Sequence, residues 1–190
     1  MGQPRSAFRH SLFLLLATAG ALRAQPATPR YDPGAYEQSS ADIPMRDSIT
    51  LHVEIFRPRG ATEALPVLLT RTPYGVAGSR GALTSSYKPL AEDGYLFVFQ
   101  DIRGRYKSQG SFVMQRPPKA IDAAAGAIDE STDTNDSIDW LLAHVSGNNG
   151  RVGMLGVSYA GWTTAMGMLG GHPALKAVSP QASPADMFLG

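Results

Sequence analysis

The decapeptide Gly153-Met154-Leu155-Gly156-Val157-Ser158-Tyr159-Ala160-Gly161-Trp162 constrains this chain more than any other stretch. It reads as an apolar strand, a sharp turn bearing Ser158, and a helix continuing from Trp162 to Leu169. Gly156 stands two residues before the serine and Ala160-Gly161 follow it, the pattern of the G-x-S-x-G nucleophile elbow with alanine in the second glycine's place. There a strained strand-to-helix turn lifts the hydroxyl above the sheet edge, and small flanking residues let helix and strand approach closely. A side chain at Gly156 or Gly161 is expected to clash. The competing reading is a glycine-rich turn with an incidental serine.

Other chemistries are set aside by composition and spacing. The 190 residues suffice for one domain with a core, and a net charge of +1 gives no electrostatic case for nucleic acid or a membrane surface. With no cysteine, disulfides, thiol catalysis and cysteine metal sites are excluded. No histidine pair has metal-ligand spacing, and Gly75-x-x-Gly78-x-x-Gly81 lacks dinucleotide-binding spacing, so neither metal nor cofactor is expected.

Residues 1–24 read as a secretory signal peptide: Arg5, Arg9 and His10, then the apolar run from Leu12, then small residues with cleavage after Ala21 or Ala24. The mature protein is expected to be secreted or periplasmic and free of the membrane. The Pro-containing residues 25–39 read as a linker, and 40–190 as the folded part.

Ile49 to Phe56 alternates as a strand closed by Pro58, whereas Leu65 to Thr70 and Tyr95 to Phe99 are continuous apolar runs, as in strands buried on both faces of a parallel sheet. Ser86 to Asp93 is a short helix stopped by Gly94. Tyr106 to Ile128 is a long irregular excursion. Asp129 to Asp133 starts a helix running to about Val145, with Ile138, Leu141, Leu142 and Val145 on one apolar face, and Ala174 to Val178 makes a last strand. Alternating strands and helices imply an α/β fold with a mostly parallel sheet.

Ligands of such sheets gather at the carboxyl ends of the strands, which brings Tyr74, Asp101 and Ser158 to one rim. An oxyanion hole needs the N–H after the serine, here Tyr159, and a second donor from the Arg71-to-Gly75 loop. Pro73 has no N–H, which leaves Tyr74, by backbone or phenol. Asp101-Ile102-Arg103-Gly104-Arg105 reads as a structural ion pair fixing its loop, with an acidic substrate group as the other use. A base must take the serine proton, yet His172 lies beyond the elbow helix, His52 on an early strand, His144 near a helix end and His10 in the leader. The triad Asp and His are therefore expected outside this chain.

Four blocks carry a resemblance: Arg71 to Gly75 (RTPYG), Gln100 to Phe112 (QDIRGRYKSQGSF), Asp136 to Leu141 (DSIDWL) and Asn149 to Gly161 (NGRVGMLGVSYAG). Together they resemble the X-Pro dipeptidyl-peptidase-like (CocE/NonD) α/β-hydrolases over about residues 40–190. His172 to Lys176 (HPALK) and the excursion look most like the α-amino-acid ester hydrolases, or cephalosporin acylases. The resemblance implies an α/β-hydrolase fold, Ser158 as nucleophile, and the Tyr159 N–H and Tyr74 hydroxyl as oxyanion donors. It implies a small-molecule ester or amide substrate, such as an α-amino-acid ester or a β-lactam side-chain acyl group. Xaa-Pro dipeptides and cocaine-type esters are alternatives, as is a noncatalytic exported binding module or an inactive fragment. A cap, the rest of the hydrolase domain and a jelly roll are implied beyond the elbow region, as is a carboxylate cluster past Gly190. Self-association of the full-length protein is left open. One position departs from the ester hydrolases: Ala160 stands where glutamate is expected.

Overall fold

The apolar runs beginning at Leu65 and Leu96 form the two central strands of a six-stranded sheet, buried on both faces as their lack of alternation requires. The computed structural model describes residues 28–124 and 126–185. Its elements run β1 (Tyr36–Pro44), β2 (Thr50–Pro58), β3 (Leu65–Thr72), α1 (Arg80–Leu83), α2 (Lys88–Asp93), β4 (Leu96–Asp101), α3 (Glu130–His144), β5 (Asn148–Val157), α4 (Tyr159–Met168) and β6 (Leu175–Gln181). The strand order is β1-β2-β4-β3-β5-β6, in which β4, β3, β5 and β6 are parallel and β1 and β2 antiparallel. The parallel strands therefore carry their carboxyl ends to one rim, and the loops after β3, β4 and β5 meet there.

Each central strand sends alternate residues to opposite layers. Val67, Leu69, Leu96, Val98, Val152 and Met154 pack under Ile138 and Leu141 of α3, and Leu142 and Val145 border the same cluster. Leu68, Phe97, Phe99 and Leu155 face the other way, under Leu83 of α1 and Ala91 of α2. Tyr87 stacks on Phe97 and Phe99 at 6.1 and 5.9 Å between ring centroids, closing that second layer. Burying a side chain of this size contributes roughly 1.5–3 kcal/mol, so both layers are needed to hold the sheet rigid beneath its rim.

Caps fix where the helices begin and end. The Asp129 carboxylate accepts from the Thr132 N–H at 2.8 Å while the Thr132 hydroxyl accepts from the Asp129 N–H at 2.8 Å, a capping box on α3. Gly94, at φ 96°, closes α2. The excursion from Tyr106 to Ile128 holds no helix or strand among its described residues.

One boundary differs from the sequence reading, and one segment lies outside the described residues. The signal peptide, with Ala21 and Ala24, and residues 25–27 of the linker lie outside the described residues. The rest of the 25–39 linker is corrected at its end, because β1 starts at Tyr36 and pairs along its whole length with β2. As an edge strand with a mostly exposed, polar surface (YEQSSADIP), β1 has no alternation to betray it, and its regularity comes from β2. Tyr36 itself is buried and its hydroxyl donates to the Ala91 carbonyl at 2.9 Å.

Asp129→Ala should lower the unfolding free energy by about 0.5–2 kcal/mol in urea titrations at neutral pH, the usual worth of a lost cap. Burial alone raises the Asp129 carboxyl, but the Lys119 N–H, the Ser131 hydroxyl and the Thr132 N–H outweigh it and hold it below its ordinary range. A depressed carboxyl stabilises above its unfolded value of about 4, and that contribution disappears as pH falls through the folded value. The penalty of Asp129→Ala should therefore shrink as pH falls below about 4; a penalty independent of pH would contradict this.

Candidate active site

The turn after β5 places Ser158 at φ 57° and ψ −123°, a backbone region that L side chains rarely occupy. Packing on both sides over-determines it. The Ser158 N–H donates to the Gln181 carbonyl of β6 at 3.0 Å, and the Ser158 carbonyl accepts from Trp162 at 3.0 Å as the first bond of α4. A Cβ at Gly156 would overlap the Ala160 carbonyl, and one at Gly161 would overlap the Gln181 carbonyl, so both glycines are required for α4 to sit this close. Ala160, in the place of the motif's second glycine, is buried. The Ser158 side chain is exposed and makes no capping bond to its own helix. α4 thus starts at Tyr159, immediately after the serine and three residues before Trp162.

Tyr159 is the first helical residue, so its N–H has no acceptor within α4 and points out at the turn. Its phenol is committed elsewhere: it is nearly buried, accepts from the Gln115 N–H at 3.1 Å, and is raised above the ordinary tyrosine range chiefly by burial. Tyr74 stands across from it, ring edge to ring face with 6.5 Å between centroids. The Tyr74 N–H already donates to the Thr72 hydroxyl at 3.2 Å, while its exposed phenol hydroxyl has no partner among the described residues. Of the two donors that residue could offer, the phenol is the free one.

Beneath this pair lies a buried polar cluster that sequence patterns do not announce. Arg71, the first residue of the RTPYG block, is fully buried. Its Nε donates to Gln100 Oε1 at 2.7 Å, and its Nη1 donates to Glu130 Oε2 at 2.7 Å, to the Glu130 carbonyl at 2.9 Å and to the Thr134 hydroxyl at 3.0 Å. Its Nη2 faces Asp133 at 3.7 Å. The Arg71 carbonyl accepts from the Thr163 hydroxyl of α4 at 2.8 Å, so one residue ties the Tyr74 loop to the elbow helix. Glu130 has its carboxyl raised by burial, against the pull of the Arg71 guanidinium. The available signal was an arginine and a glutamine ending two both-face-buried strands, where each must find a buried partner.

The Asp101-to-Arg105 block is organised differently from the expected local pair. Arg103 bonds Asp133 Oδ1 at 2.6 Å and Asp47 Oδ2 at 2.6 Å rather than Asp101, and Arg105 Nε donates to the Pro73 carbonyl at 3.0 Å, steadying the Tyr74 loop. Asp101 joins Tyr74 at the rim, on the β4 side. The three described histidines are engaged elsewhere: His52 Nδ1 with Asp42 at 2.8 Å, His144 Nδ1 with the Trp140 carbonyl at 2.8 Å, and His172 Nε2 with Asp139 at 3.0 Å. None of them bonds Ser158.

A family model for the X-Pro dipeptidyl-peptidase (S15 family) matches residues 47–189. The chain belongs to that family. Its relatives include the cocaine esterase of Rhodococcus sp. (strain MB1 Bresler), 35% identical over 79% of this chain and 24% of that protein. A crystal structure of an aminopeptidase from a marine sediment Thaumarchaeota archaeon aligns at a TM-score of 0.74, with 36% identity over 92% of this chain and 29% of that one. An α-amino acid ester hydrolase structure aligns at 0.74, with 37% identity over 91% and 29%. The S15 chain here has the α/β-hydrolase fold and spans about a quarter of the length of these relatives.

Removing one partner of the buried cluster should expose its cost. Arg71→Met leaves Glu130 without its cation, while Asp133 keeps Arg103, and is expected to destabilise by about 3–5 kcal/mol in denaturant unfolding, the usual loss for a broken buried pair. A loss under about 1 kcal/mol would mean that the cluster does not hold α3 and α4 to the sheet.

Proposed function

We propose that Ser158 is the nucleophile of a serine hydrolase that cleaves an ester or amide bond through an acyl-enzyme. The single observation that carries this reading is the strained, exposed serine at the first turn of α4, a conformation that packing sustains and that no structural bond of its side chain explains. Membership of a hydrolase family supports it. Ser158 Oγ would attack the carbonyl carbon as its proton passes to a base. The Tyr159 N–H and the Tyr74 hydroxyl would donate to the oxyanion that forms. Collapse would expel the alcohol or amine with a proton, and water would then release the acyl group.

We assign the base and its orienting acid to the stretch of the relatives that this chain does not match, since the described histidines all serve other contacts. α-Amino-acid esters or β-lactam side-chain acyl groups are the proposed substrates, from the likeness to the ester hydrolase; Xaa-Pro amides and cocaine-type esters are the alternatives within the family. We further propose that residues 1–24 direct export, to the periplasm or beyond. A noncatalytic binding module is the rival reading, favoured by the engagement of every described histidine.

A fluorophosphonate probe applied to the protein extended to its relatives' length should label Ser158, and Ser158→Ala should abolish both labelling and turnover. Tyr74→Phe should lower kcat by roughly 10²–10³ with little change in KM, because its hydroxyl acts on charge present only in the transition state. Labelling that survives Ser158→Ala, or none at all, would falsify the enzyme reading. Comparing α-amino esters with Xaa-Pro amides then separates the substrate classes.

A further inference from the structure

β4 and β2 lie on the opposite side of β3 from the elbow strand, and over their rim ends is a cavity of about 200 Å³ that the Ser158 chemistry does not use. Asp101, His52, Lys107, Val76 and the rings of Tyr74 and Tyr106 line it. Asp101 is 1% exposed. Its Oδ2 accepts from the Lys107 N–H at 3.4 Å and the Val76 N–H faces the carboxylate, yet its Oδ1 is buried without a hydrogen-bond partner among the described residues. Burial pushes this carboxyl above its ordinary range, as it must when an acceptor oxygen is taken from water and given no donor.

The neighbouring charges do not supply that donor. His52 Nδ1 bonds Asp42 at 2.8 Å, and its Nε2 lies 3.3 Å from both Glu54 Oε1 and Lys107 Nζ. Lys107 Nζ is 3.8 Å from Glu54, so this ammonium is turned toward His52 and Glu54 rather than Asp101. Asp101 is the one carboxylate of the lining, and the lysine and imidazole beside it are engaged by Glu54 and Asp42. Among the described residues no group of three or more His, Asp or Glu side chains is placed to hold a metal ion, which disfavours a bare metal. A lone water is a poor fit, because the space is several times its ~30 Å³ share of the liquid and aromatic rings form part of the wall.

We propose that this cavity binds a small primary ammonium ion, with an N–H donating to Asp101 Oδ1 and an apolar stem against the Tyr74 and Tyr106 rings. An ammonium supplies the missing donor to Oδ1, by a charge-assisted bond, and aromatic faces attract such cations. The cavity is smaller than the ~300 Å³ lower bound of drug-sized pockets, which limits the guest to a few heavy atoms. Because Tyr74 belongs to both walls, a bound amine lies next to the oxyanion side of the rim without being part of it.

The probe is n-butylammonium chloride titrated into the ¹⁵N-labelled protein, with the backbone N–H signals of Gly75, Val76 and Lys107 followed. Saturable shifts are expected with butylammonium and not with n-butanol or with matched sodium chloride. Asp101→Asn should weaken binding about tenfold or more, and Lys107→Met, which removes a competing cation from an exposed side chain, should tighten it severalfold. Shifts that do not saturate, that butanol reproduces, or that persist unchanged in Asp101→Asn overturn the site. Should Asp101→Asn lose the dispersed spectrum of a folded chain, Lys107→Met decides: unchanged or weaker affinity also overturns it.

Discussion

One buried cation, Arg71, sets the geometry of the whole rim. A guanidinium removed from water is tolerable only if its charge is opposed and most of its donors are met, since the effective penalty for an unpaired ion is several kcal/mol. Gln100 from β4 and Glu130 and Thr134 from α3 accept from Nε and Nη1, and Asp133 opposes the charge from 3.7 Å without a hydrogen bond to Nη2, while the same residue's carbonyl takes the Thr163 hydroxyl of α4. The ends of β3 and β4, the start of α3 and the body of α4 are therefore held in one relative placement. Tyr74 follows Arg71 by three residues, so its position is inherited from this anchor and from the Arg105 bond to Pro73.

The strained serine depends on the same arrangement. A non-glycine residue in so sparse a region of backbone space costs roughly 1–3 kcal/mol, and relaxes unless its neighbours forbid it. Here β6 forbids it from one side, through the Gln181 carbonyl, and α4 from the other, through contacts that only glycine at 156 and 161 allows. Thr163 then fixes α4 to β3, so that the elbow cannot tilt away from Tyr74. Strain at Ser158 and burial of Arg71 are two ends of one mechanical link.

What the sequence revealed follows from what carries a periodic or motif signal. Continuous apolar runs marked β3 and β4, the i, i+3, i+4, i+7 face marked the second half of α3, and the elbow marked Ser158. The edge strand β1 escaped because its regularity is imposed by β2 and its own residues are polar. The first half of α3 was placed by its cap, but its burial left no apolar signal: Glu130, Ser131, Thr132, Asp133, Thr134 and Ser137 are buried, so this stretch faces the interior with polar groups. Asp129 was legible as a helix start, but nothing in the spacing marked Asp133, one turn later, as a buried ligand of Arg103. Arg103 itself was expected to pair nearby, because partners 30 residues away leave no trace in local spacing.

The proton-transfer half of the chemistry has a different standing from the oxyanion half. Stabilising an oxyanion requires donors that are fixed beforehand, and the two candidates sit on the strand-end loop and the helix turn that Arg71 joins. Accepting the serine proton requires an imidazole with a free nitrogen near Ser158, and here each described histidine has a competing role. His52 is nearly buried amid Asp42, Glu54 and Lys107, on the far side of β3 from the elbow. His172 comes after α4, whose ten residues span about 15 Å, and is tied to Asp139 of α3. His144 is stacked on Trp140 at 4.6 Å near the end of α3. Freeing any of them would break an interaction that packs a strand or helix, so under the proposed serine mechanism the base would come from a segment with no such obligation.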